Sequence, residues 1–174
     1  PAFAELPPGA VAFDAQVGSG GERVPVRMTF ALDGDRPDLL ITVEAADETT
    51  QVGRFGVLHP LVLDRPNGRI LGAQYCNGIG VPIDDLSWQG REWTTFSTLD
   101  MPWVGVTDGS IGYLLLFELP VTCDNGAVRF ERVRVGDRNI LAPGVYHYPI
   151  RGRFGAPRVV RYSFFDRGGH VAIC

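Results

Sequence analysis

The stretch Val24-Pro25-Val26-Arg27-Met28-Thr29-Phe30-Ala31-Leu32 decides the fold class. Val24, Val26, Met28, Phe30 and Leu32 fall on one face of an extended chain, and Pro25, Arg27, Thr29 and Ala31 on the other. A period of two is the signature of a strand with one buried face, and no helix places those five residues on one side. Asp33-Gly34-Asp35 ends the run, and Asp38–Ala46 resumes it, which reads as a hairpin with a loop of several residues. Pro25 has no N–H for a ladder, so it suggests an edge strand or the first residue of a strand.

The same alternation recurs outward from that hairpin. Strands are expected at Ala10–Val17, Arg54–Leu63, Ile70–Tyr75, Gly80–Asp84, Trp93–Phe96, Gly112–Leu119, Ala127–Val135, Val145–Ile150, Arg158–Phe165 and His170–Cys174. Gly112–Leu119 is apolar enough to be central and buried on both sides, and Ala127–Val135 slips near Val133 as a bulge would. Gly136-Asp137-Arg138-Asn139 and Asp166-Arg167-Gly168-Gly169 read as turns. No ten-residue stretch has a 3.6 period. So many one-faced strands predict an all-β, two-layer antiparallel β-sandwich. Residues 1–9 are Pro-rich and read as an arm or linker, and 10–174 as the sandwich.

With 174 residues, 45% of them apolar, the chain has the length and composition of one folded domain. Its 22 Gly and 13 Pro are spread along it without a repeat, as short strands between turns require. The 16 basic residues are all Arg against 20 acids, a net charge of −4, so there is no amine nucleophile. The densest Arg runs, Arg129–Arg134 and Arg151–Arg153, are broken by an acid or a glycine, which excludes the contiguous basic footprint of a nucleic-acid binder. Apolar runs are of strand length, short of a bilayer span, so no membrane partner is expected.

Cys76, Cys123 and Cys174 lack the spacing of a zinc knuckle or redox pair and read as free, packed thiols, with a Cys76–Cys123 bridge as the alternative. His59, His147 and His170 have no ligand spacing either. No metal or cofactor is expected. Gly18-Ser19-Gly20-Gly21 lacks the Lys of a phosphate loop and reads as a turn.

Antiparallel sandwiches place function on their loops, so Asp64–Ser110, which holds all three Trp and little periodicity, is where recognition is sought. Asn77, Asp84, Asp85 and Trp88 lie in one unusual segment, Gln74–Trp88, and Asp100 and Trp103 in a second, Thr98–Gly109. Indole faces stack on sugar rings while carboxylates and amides bond hydroxyls, so these six residues are candidate carbohydrate contacts. The structural alternative has the tryptophans lidding the core and the acids bonding turn amides.

Several pieces resemble a known family. Asn77-Gly78-Ile79-Gly80-Val81-Pro82-Ile83, Met101-Pro102-Trp103-Val104-Gly105-Val106, the strand Gly112–Glu118, and the hairpin Arg161–Val171 look like steps of one particular sandwich. It is the N-terminal, galactose-mutarotase-like β-sandwich that precedes the (β/α)8 barrel of several bacterial glycoside hydrolases. The resemblance implies that catalytic carboxylates lie on a barrel, with no catalytic residue in this chain. It also implies that the sandwich supports the barrel, continues into it after Cys174 or meets it as a partner chain, and lends loops to the sugar cleft. A stand-alone carbohydrate-binding module using Trp88 and Trp103, a sandwich with its own His/Asp site, and a purely structural subunit are the competing readings.

Overall fold

A computed structural model describes residues 6, 8–17, 23–56, 60–74, 77–95, 101–118 and 126–168. The strands are β1 (Val11–Val17), β2 (Val24–Leu32), β3 (Asp38–Ala45), β4 (Phe55–Gly56), β5 (Arg69–Gln74), β6 (Asn77–Pro82), β7 (Glu92–Thr94), β8 (Trp103–Thr107), β9 (Gly112–Glu118), β10 (Gly126–Val135), β11 (Arg138–His147) and β12 (Arg158–Phe165). One 3-10 turn, Leu86–Trp88, precedes β7. Two antiparallel sheets result, one of eight strands in the order β1-β2-β3-β12-β9-β8-β5-β6 and one of four in the order β4-β11-β10-β7. The chain is a two-layer all-β sandwich.

Register explains where the core lies. Residues opposite one another share a face, and Leu32, Leu39, Tyr162, Leu115, Val104, Gly72 and Ile79 form one unbroken row across seven strands of the large sheet. The small sheet answers with Trp93, Val128, Phe130, Ile140, Leu141 and Val145, which join Tyr162, Leu115 and Val104 in one buried cluster with Leu39 and Ile79 packed against it. Trp93 reaches the large sheet because Gly72 leaves it room: a Cβ there would lie 2.7 Å from the indole. Gly126 does the same for Phe117, at 2.5 Å. A second cluster gathers Val24, Val26, Val43 and Phe154.

Among the described residues eight strands face four, and the smaller sheet leaves part of the larger one's inner face uncovered. Val24 and Val26 are buried, Met28 and Phe30 half-buried, and Leu32 is 72% exposed, although all five share the predicted face. Val11 and Phe13 on edge strand β1 are also more than half exposed.

Several expectations are corrected. β2 is not an edge strand: it lies between β1 and β3, and Pro25 is its second residue, before β3 pairing begins at Val26. β9 is central, yet only Gly112, Tyr113, Leu115 and Phe117 are fully buried, while Leu114, Leu116 and Glu118 are half-buried. There is no bulge at Val133, because the β10–β11 ladder runs unbroken from Gly126 opposite His147 to Val135 opposite Arg138. Alternation fades there because the hairpin end is solvated; the side chains of Arg134 and Asp137 are 75% and 105% exposed. β11 begins at Arg138, not Val145, and runs through Pro143. Of the expected strand Arg54–Leu63, only Phe55–Gly56 pairs among the described residues. β6 runs Asn77–Pro82 rather than Gly80–Asp84, because Pro82 ends the ladder and Ile83-Asp84 leads into a turn. His170–Cys174, Cys76 and Cys123 lie outside the described residues.

Candidate functional site

The segment around Asp84 is built by a stitched set of backbone bonds. Arg65-Pro66-Asn67-Gly68 is a tight turn closed by the Gly68 N–H donating to the Arg65 carbonyl at 3.1 Å. Pro66 presets the second position and Asn67, at φ 62°, takes the left-handed third, as a type II turn demands. The Gly68 carbonyl then accepts from the Ile83 N–H at 3.0 Å, and the Ile83 carbonyl from the Leu141 N–H at 2.6 Å. The turn, the end of β6 and the start of β11 are thereby held together. A Cβ at Gly68 would lie 2.6 Å from Ile83, so the turn presses directly onto the core.

Between these three segments lies a cavity of about 280 Å³ lined by Arg65, Asn67, Arg69, Asp84 and Arg138, with Ile83 as its apolar floor. Arg138 is anchored by an ion pair with Asp64. Arg65 and Arg69 make no ion pair among the described residues. Asp84 is exposed at the cavity wall.

The other candidates sit in different surroundings. The Asp85 carboxylate accepts from the Ser87 N–H at 3.2 Å and the Ser87 hydroxyl at 2.6 Å, capping the 3-10 turn. That turn carries Trp88 onto the core, where its ring meets Trp93 edge-on at 6.1 Å and Phe130 at 5.4 Å. The Arg91 guanidinium covers the indole at 4.7 Å from its centroid. Trp103 belongs to the outer face of β8, opposite Leu116, and is half-buried. Asn77 is exposed at the far end of β6, about 17 Å along the strand from its end near Asp84. Asp100 lies outside the described residues. Asp84, Asp85 and Trp88 thus share one segment, while Asn77 and Trp103 are elsewhere.

Among the described residues no group of three or more His, Cys, Asp or Glu could hold a metal ion, and no helix is long and apolar enough to cross a membrane. His147 is buried in the core between Phe55 and Phe117, away from the cavity; His59 and His170 lie outside the described residues.

No protein-family model matches the chain, and no curated protein sequence does. Solved structures do. The chain resembles one segment of a bacterial glycosidase. The α-N-acetylgalactosaminidase NagBb from Bifidobacterium bifidum, in complex with GalNAc, superposes with a TM-score of 0.66 at 19% identity over 94% of this chain and 29% of NagBb. The ligand-free form of NagBb gives 0.60 at 17% identity, over 92% of this chain and 28% of that one. The chain therefore spans less than a third of NagBb, and at this identity what the two share is the fold.

Sequence reasoning missed Arg65, Asn67, Arg69 and Arg138. The signal for two of them was present: Pro-Asn-Gly after an Arg marks a type II turn that brings its flanks together. Arg138 joins them only through the pairing of β11, which local sequence does not reveal.

Proposed function

We propose that this chain is an accessory β-sandwich of a carbohydrate-active enzyme, the galactose-mutarotase-like sandwich of a glycoside hydrolase. It supports a (β/α)8 catalytic barrel, carried on the same polypeptide or on a partner chain, and does not cleave the glycosidic bond itself. The observation that carries this reading is the match of nearly the whole chain to a limited segment of a glycosidase. The chemistry agrees. Glycosidic cleavage by two carboxylates needs them roughly 5–10 Å apart with a sugar between them, whereas the cavity wall offers the single carboxylate of Asp84 and the neighbouring Asp64 is spent on Arg138.

In this role Asp84 and Trp103 are the side chains of the candidate set best placed to reach a sugar. Asp85 is engaged in capping and Trp88 in packing. The purified chain, given nitrophenyl glycosides of hexoses and N-acetylhexosamines, is expected to release no nitrophenol above the blank. Saturable turnover, lost on heating the protein, would overturn the accessory assignment. Added to the catalytic segment it serves, the sandwich is expected to raise that segment's Tm, and an unchanged Tm argues against support.

A further inference from the structure

We infer that the cavity between the Arg65–Gly68 turn, the end of β6 and Arg138 is a binding site for a carboxylate-bearing sugar residue, a uronate. The sugar part of this inference rests on the proposed carbohydrate role; the anionic part rests on the cavity alone. Its lining carries three guanidinium groups, from Arg65, Arg69 and Arg138, against one carboxylate, from Asp84, in a chain whose net charge is −4. Counting Asp64, which pairs with Arg138, the excess is still positive. Asp108, whose charge also acts on Arg65, stands outside the lining, where its carboxylate accepts from the Ser110 and Ile111 N–H groups.

Arg65 and Arg69 flank one turn and Arg138 opens β11, and the bonds through Gly68, Ile83 and Leu141 hold turn and strand together against the mutual repulsion of their cations. A planar carboxylate matches the paired N–H groups of a guanidinium. Arg65 and Arg69 keep theirs unspent among the described residues. Asp84 argues for a sugar over phosphate. An ionised carboxylate in the wall repels a dianion but accepts bonds from ring hydroxyls, and the Asn67 amide offers both a donor and an acceptor. The volume, about 280 Å³, lies just below the usual range of small-molecule sites, roughly 300–1,000 Å³, and suits one sugar ring rather than a chain.

The test is a titration of the isotopically labelled chain with galacturonate and glucuronate, followed through backbone amide shifts. Galactose, N-acetylgalactosamine and inorganic phosphate serve as comparison probes. Expected is a saturable shift of the Gly68 and Ile83 amides with a Kd of roughly 1–10 mM for a uronate, at least about tenfold weaker for the neutral sugars. The double variant Arg65→Gln, Arg69→Gln should lose about tenfold or more with an unchanged spectrum elsewhere, and Asp84→Asn should weaken uronate while strengthening phosphate. Equal binding of galactose and galacturonate overturns the anionic assignment. Phosphate binding as tightly as uronate overturns the sugar assignment, and no shift at these amides overturns the site. None of these outcomes bears on nitrophenyl glycoside turnover, so failure here and failure of the accessory role are separately visible.

Discussion

Phe130 and Pro143 stand opposite each other in the β10–β11 ladder, and no hydrogen bond is asked of the proline. The Phe130 N–H donates to the Arg91 carbonyl at 2.9 Å, and its own carbonyl accepts from the Gly90 N–H at 2.8 Å. Both polar groups of Phe130 thus turn toward β7. On its other side β11 meets β4 at Tyr146 and His147 and the Ile83 carbonyl at Leu141, and among the described residues no strand pairs with position 143 there. A proline inside a strand is tolerated where neither neighbour needs its N–H.

The neighbouring position is predicted to behave differently. Antiparallel ladders alternate bonded and non-bonded pairs, so Ala142 opposite Glu131 supplies the bond that Pro143 does not. Pro143→Ala is expected to change stability by less than about 1 kcal/mol. Ala142→Pro should cost about 3 kcal/mol through a lost bond and a clash at a buried site. Denaturant midpoints of the two variants check this, and equal losses would remove the edge argument.

Glycines facing the two sides of the sandwich should likewise differ. A methyl at Gly72 meets the indole of Trp93, which is 1% exposed and has no room to retreat. Gly72→Ala is expected to cost about 1–3 kcal/mol by overpacking. At Gly78 a Cβ meets nothing within 4 Å, so Gly78→Ala should be neutral or slightly stabilising by thermal unfolding.

Fold class was legible because it depends on local periodicity: the bounds of β2 and β12 follow directly from alternation in Val24–Leu32 and Arg158–Phe165. What was not legible depends on neighbours. The strand expected at Val145–Ile150 in fact begins at Arg138 and passes through Pro143, which nothing local reveals because it depends on Phe130 bonding elsewhere. Leu32 looked buried because its face is right, whereas its exposure follows from four strands covering eight. The site divides in the same way. Asp84 was found from composition, while Arg138, some fifty residues later in the chain, reaches the same cavity only by strand pairing.

Trp88 is predicted to matter for stability more than for recognition. One side of its ring rests on Trp93 and Phe130, and the Arg91 guanidinium lies over it. Trp88→Ala should lower stability by about 2–3 kcal/mol, less than a fully buried indole would cost. Trp103, half-buried on the outer face, is the better probe of saccharide stacking, and quenching that survives Trp88→Phe but is lost in Trp103→Phe would identify it. Quenching lost in Trp88→Phe instead would reverse that assignment.

The last prediction concerns acid. His147 is 1% exposed, lies 5.5 Å from Phe55 and 6.1 Å from Phe117 between ring centroids, and neither ring nitrogen finds a hydrogen-bond partner among the described residues. Burial, and secondarily the charge of Arg158, lower its pKa from 6.5 to about 3. The folded state therefore holds the neutral ring while the unfolded chain takes up the proton. The resulting stability is fully present above pH 6.5 and drains away as pH falls toward about 3. At 1.36 kcal/mol per unit, the loss over that window is on the order of 4 kcal/mol. His147→Met keeps the bulk without the titrating group, so its stability should fall less steeply across the same window. Parallel curves for the two proteins, measured by denaturant unfolding from neutral to acid pH, would show that another group carries the acid sensitivity.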